Sequence, residues 1–224
     1  MHTSSILMAA AVYASTVTGL ATPQLSKRFS IAGASNENGF AVPNNVQPGV
    51  YSVFIDGDGV AHHTQLDNTD KPKNERRVDQ LSADDDVSGL DRRQEGTGMR
   101  FITCGDNREM DRQSTIDAVQ DLVNQCGNGL KVDSSHHIYS VRGNVAAFYC
   151  NYVTFINSTP PWGVFGAPQT CYGDRVRNII SHQISNECGS FKPGWSEDKF
   201  AAQKNSVGYH EVGSDKNFCG EGHH

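Results

Sequence analysis

The sequence predicts an α+β fold: an antiparallel sheet covered on one face by two helices and stabilised by disulfides. Three observations carry this. All six cysteines, Cys104, Cys126, Cys150, Cys171, Cys188 and Cys219, lie beyond residue 100. Two segments with helical apolar spacing each end at a Cys-Gly pair. The segments around them have strand length and strand composition. The resulting order, β-α-β-β-α-β, is the split pattern of an α/β sandwich.

Each element has its own signal. Met99 to Cys104 reads as a short strand. Ser114 opens the first helix, with Ile116, Val119, Leu122 and Val123 on one face. Asp117 stands three residues after Ser114, where a capping box places an acidic side chain. Cys126 ends this helix and Gly127 stops it. His137 to Arg142 alternates as a strand, Gly143-Asn144 turns, and Val145 to Tyr152 returns. Asp174 starts the second helix, whose Val176, Ile179, Ile180 and Ile184 share a face, and Cys188-Gly189 closes it. Ser206 to Val212 is the last strand.

Upstream of this domain, expected over 94–224, two other kinds of segment stand. Residues 6–18 are an apolar core too short to anchor in a bilayer, and Gly19 and Ala21 precede a plausible cut before Thr22. Residues 1–21 therefore read as a signal peptide, although its start carries His2 and no Lys or Arg. Residues 22–93 are rich in Asn, Asp, Ser, Gly and Pro, too poor in apolar side chains to offset chain entropy, and read as a low-complexity propeptide. One hairpin over 50–64, turning at Gly57-Asp58-Gly59, interrupts it. A lone hairpin needs a partner surface to be stable. Dibasic pairs ending at Arg28, Arg77 and Arg93 are sites for processing proteases of the secretory pathway, and a cut after Arg93 leaves Gln94 first.

Six cysteines behind an export leader imply a disulfide framework. They allow fifteen pairings. Cys126 and Cys188, at helix ends, are placed to bridge the helices to the sheet or to each other, and a Cys104–Cys219 bond would close the domain at its ends. No Cys-x-x-Cys pair exists, so metal is not expected, and neighbouring histidines such as His136-His137 point to opposite faces of a strand. No cofactor is expected.

The chain carries a formal charge of −6, and from Gln94 onward eleven basic residues face fourteen acidic ones. That balance argues against nucleic-acid binding, which wants a basic stripe. Beyond the leader no stretch is apolar enough for a membrane span. Asn157-Ser158-Thr159 is a glycosylation sequon, followed by Pro160-Pro161-Trp162-Gly163-Val164-Phe165. Trp162 and Phe165 on this proline-braced loop suit recognition, since a stiff loop loses less entropy on binding. The alternative is that they fold back as a lid. No Gly-x-Ser-x-Gly or His-Glu-x-x-His occurs, and a ribonuclease-like trio of His137, Glu187 and Arg142 has no distinctive spacing.

Cys104-Gly105, Val145-Ala146-Ala147-Phe148-Tyr149-Cys150-Asn151-Tyr152, Glu187-Cys188-Gly189, Gly194-Trp195, Gly208-Tyr209 and Phe218-Cys219 together resemble small fungal secreted cysteine-rich proteins over about residues 100–220. More distantly the layout is similar to the killer-toxin-like fold shared with necrosis-associated effectors. The resemblance implies an α/β sandwich, secretion and action on other cells, and transfers no catalytic residue. The sequence departs from it in the long Cys150–Cys171 interval and the acidic balance. The expected function is a secreted effector or toxin-like binding protein. It would act as a monomer on a cell-surface or extracellular target, with a small extracellular hydrolase or ribonuclease as the alternative.

Overall fold

A computed structural model describes residues 27–66, 100–152, 168–198, 204–213 and 217–220. The expected leader, Arg77, Arg93, Asn157, Trp162, Phe165 and the closing His223-His224 lie outside the described residues.

The fold is α+β, built on an antiparallel eight-stranded sheet. Its strands are β1 (Arg28–Ala32), β2 (Gly49–Ile55), β3 (Val60–Gln65), β4 (Arg100–Cys104), β6 (His136–Arg142), β7 (Val145–Asn151), β9 (Gly194–Asp198) and β10 (Asn205–Glu211). Across the sheet they run β1-β3-β2-β6-β7-β10-β9-β4. The short strands β5 (Leu130–Val132) and β8 (Gln169–Cys171) pair separately. One helix is α1 (Arg112–Cys126). The other is a continuous run of α2 (Gly173–Asn178), a π-helical segment Ile179–Ile184 and α3 (Ser185–Cys188).

The α1 helix begins two residues before the expected Ser114. Asp111 is its cap, its carboxylate accepting from the Ser114 N–H at 2.8 Å. An acidic side chain suits this end of the helix and satisfies one orphan donor. The glycine stops stand as expected: Gly127 at φ 49° and Gly189 at φ 96° occupy conformations that a side chain disfavours.

Two cores flank the sheet. On the helix face, Ala118, Val119, Leu122, Val123, Ile179, Ile180 and Ile184 bury against Ile138, Ala147, Tyr149, Val207 and Tyr209. On the opposite face, Tyr51, Val53, Tyr139, Val141, Ala146 and Phe148 are covered by Phe40, Val42, Val46 and the tail residue Phe218. Phe40 and Phe218 exchange backbone hydrogen bonds of 2.9 and 2.8 Å.

The second core runs across the boundary expected at residue 93. The 50–64 hairpin finds its partner surface in β6, pairing from Gly49↔Val141 to Phe54↔His136. The low apolar content of residues 22–93 is an average. Phe40, Val42, Val46, Tyr51 and Val53 are concentrated within fourteen positions and all are buried.

Three disulfides tie the layers together. Cys104–Cys188 joins β4 to the end of α3, Cys126–Cys171 joins the end of α1 to β8, and Cys150–Cys219 joins β7 to the tail. Cys188 thus bridges helix to sheet, one of the two arrangements its place at a helix end left open. The expected Cys104–Cys219 closure is replaced, because β4 lies at the sheet edge beside β9 while the tail packs on the opposite face over β7.

Candidate functional site

Three polar constellations occupy the described sheet. The first is exposed. Register pairing aligns Ser30 with His62, His62 with Phe54, and Phe54 with His136, across β1, β3, β2 and β6. This row lies on the helix face but beyond α1, which rests over β6 and β7. The Phe54 ring is 4.9 Å from that of His136 and 6.4 Å from that of His62, nearly parallel to both. Among the described residues Phe54 is the exposed large hydrophobic side chain, at 39%. The turn after β2 adds Asp56. Its Oδ1 accepts the N–H groups of Asp58 and Val60, and its Oδ2 meets His62 Nε2 at 2.7 Å. His62 Nδ1 in turn faces Ser30 Oγ at 2.9 Å. The hydrogen bond from His62 and that from the Val60 N–H hold the Asp56 carboxyl below its ordinary range.

The second constellation is a buried row at one end of the sheet. Asn151, Asn205, Asp198 and Arg100 are successive register partners across β7, β10, β9 and β4. Arg100 donates from Nε to Ser196 Oγ at 2.9 Å, from Nη2 to Ser196 O at 2.9 Å, and from Nη1 to Asn205 Oδ1 at 3.2 Å. Asp198 is flanked by Arg100 at 3.9 Å and Arg175 at 3.8 Å. Gln169 accepts from Tyr149 Oη at 3.3 Å and Asn205 Nδ2 at 3.1 Å. Burial lowers the Arg100 guanidinium to about 10 and raises the Tyr149 hydroxyl to about 12. At neutral pH Arg100 stays a cation and Tyr149 stays a donor. These bonds tie β4, β9, β10 and the second helical run together, which is a structural task.

The third lies in the opposite core. His63 and His137 are each nearly inaccessible, and the Nε2 of each has no hydrogen-bond partner. His63 Nδ1 faces Tyr139 Oη at 3.0 Å, and His137 Nδ1 accepts from the Asn151 N–H at 3.3 Å. Burial, reinforced by a neighbouring histidine, lowers His63 to about 4 and His137 to about 3, so both are neutral. A ring nitrogen of His137 and the sulfurs of Cys150 and Cys219 lie within 4.8 Å of one another, but the two sulfurs are bonded to each other. A disulfide sulfur is not a thiolate ligand.

The ribonuclease-like trio of His137, Arg142 and Glu187 is not assembled. His137 stacks on Phe40 in the core away from the helices, Arg142 pairs with Asp121 of α1 at 2.6 Å on the other face, and Glu187 is exposed at the end of α3. Of the processing positions, Arg28 is described and begins the exposed edge strand β1. The Ser30–His62–Asp56 arrangement escaped sequence reasoning because its members stand 32 and 6 positions apart, joined by strand register and not by a motif. The one available signal was His62 opposite Phe54 in the expected hairpin.

No protein-family model, curated protein or solved structure matches this chain.

Proposed function

We propose that the protein is a secreted, disulfide-stabilised effector or toxin-like binding protein that acts on host or competitor cells by surface recognition. The observation that carries this reading is the stacked row His62, Phe54 and His136, an apolar ring open to solvent between two hydrogen-bonding rings. An aromatic side chain held on a rigid strand loses little entropy on binding, which is the property that makes such residues anchors at interfaces. Three disulfides brace the body on which the β2–β3 hairpin pairs, and the same crosslinks suit an oxidising extracellular setting. The resemblance to small fungal secreted proteins points the same way.

The test is saturable binding of labelled protein to intact fungal and plant cells. Phe54→Ala is expected to weaken it at least tenfold with the fold unchanged by near-UV circular dichroism. Trp162→Ala, measured beside it, asks whether the proline-braced loop shares the contact. Binding that is absent, or indifferent to both changes, sinks the reading.

A further inference from the structure

We propose that Ser30 is a nucleophile activated by His62 and Asp56, and that this edge of the sheet carries acyl transfer on esters with a flat apolar part. The inference goes beyond the recognition reading and does not depend on it.

The proton polarity follows from the partners. Asp56 Oδ1 is engaged by the N–H groups of Asp58 at 3.0 Å and Val60 at 2.9 Å, which fixes the carboxylate with Oδ2 toward His62. An ionised carboxylate only accepts, so His62 Nε2–H donates to it. In its neutral form the imidazole so held presents its lone pair on Nδ1, toward the Ser30 hydroxyl at 2.9 Å. Nucleophile, base and orienting carboxylate are within hydrogen-bond reach in the required sequence. The two ring nitrogens have exchanged the places they take in serine proteases, but such a relay is recognised by roles and geometry.

The strand ladder supplies a further part. Lys27 O accepts from Gln65 N at 2.8 Å, which makes Lys27 and Gln65 a hydrogen-bonded pair. Such pairs alternate along antiparallel strands, so Ser30 and His62 form a non-hydrogen-bonded pair, whose side chains approach more closely. On the other side of β3, Asp56 N donates to Val60 O at 3.0 Å, and the same alternation directs the His62 backbone to β2. The Ser30 N–H is therefore turned to the outer edge of the sheet, where β1 has no neighbouring strand among the described residues. There it stands beside its own Oγ and can donate to an oxyanion forming on a carbon attached to that oxygen.

In the reaction, Ser30 Oγ bonds the ester carbonyl carbon as its proton passes to His62 Nδ1. The tetrahedral adduct collapses by breaking the bond to the alcohol oxygen, and the alcohol leaves with the proton from Nδ1. Water, giving its proton to the same nitrogen, then releases the acid and restores Ser30. The exposed Phe54 ring, 6.4 Å from His62 and at 19° to it, is the surface on which a flat apolar acyl or aryl group lies. The site is open to water, so turnover is expected to be slow, and covalent labelling is the sharper readout.

The test treats the full-length protein with an alkyl fluorophosphonate probe and maps adducts by mass spectrometry. A single adduct on Ser30 is expected, absent in Ser30→Ala. Its rate should fall at least tenfold in His62→Gln and several-fold in Asp56→Asn, with folding of each variant verified by near-UV circular dichroism. Slow hydrolysis of an aryl acetate should follow the same order, and Phe54→Ala should raise its KM with kcat held. A folded wild-type protein without an adduct on Ser30 overturns the proposal. So does labelling as fast in His62→Gln as in wild type, or aryl-ester hydrolysis undiminished in Ser30→Ala.

Discussion

Two buried histidines make this molecule sensitive to acid. His63 and His137 are held neutral, at about 4 and about 3, because burial strips water from the imidazolium. The unfolded chain binds those protons near the ordinary histidine value of about 6.5. Between that value and the folded ones the unfolded state holds more protons, so stability rises with pH. It is complete above about 6.5 and is lost as pH falls, at up to about 1.4 kcal/mol per pH unit for each histidine. Asp56 and Asp111, whose carboxyls are lowered by hydrogen bonds, add a loss of the same sign below the usual carboxylate range. Urea midpoints should therefore drop between pH 6.5 and 4.5, with a shallower drop in His137→Gln. A flat profile over that interval contradicts the buried neutral state. Also at this scale, Arg100→Ala removes one cationic partner of buried Asp198 and a donor to Ser196 and Asn205. Breaking such a pair from one side costs about 3–5 kcal/mol. A measured loss under about 1 kcal/mol would show that the network is bypassed.

At the scale of elements, the three disulfides close loops of 84, 45 and 69 residues. Loop entropy depends only logarithmically on length, so each is expected to contribute a similar amount, about 4 kcal/mol. What distinguishes them is access. Cys150 and Cys171 are fully buried and Cys126 and Cys219 nearly so, whereas Cys104 is exposed at the end of an edge strand and Cys188 is half-buried. Mild thiol reductant under native conditions should therefore open Cys104–Cys188 first, since exchange requires approach to the sulfur. Timed alkylation and peptide mapping will read the order. First labelling at Cys150 or Cys171 would contradict the burial. Releasing this bond unties α3 from β4 while both apolar cores stay closed.

Over the whole molecule, the first three strands belong to the same sheet as the crosslinked body, yet no cysteine precedes Cys104 to attach them. Scission at Arg76-Arg77 or Arg92-Arg93 therefore should not release residues 27–66. Pairing of β2 with β6, and Phe40, Val42 and Val46 packed over Tyr139, Phe148 and Phe218, should hold the pieces together. The cleaved protein is expected to elute as one species on a native sizing column. It should part into two fragments in denaturant without reductant. Early loss of the N-terminal piece in native buffer would sink this expectation.

Local signals in the chain were enough for both helices, their glycine stops and the strands β4, β6, β7 and β10, because periodicity, turns and caps act over a few residues. They marked the hairpin but not its place, since the surface that β2 needed lies some ninety residues downstream in β6. Strand β9, with Glu197 and Asp198 at its end, reads as too polar until Arg100 and Arg175 are brought beside it. The same holds for the disulfide pairing and for Ser30, His62 and Asp56. By itself the sequence determined the fold class, the cysteine inventory and the local elements. Strand order, sulfur partners and the exposed relay were decided only by tertiary structure, because each is a contact between residues that no short-range preference links.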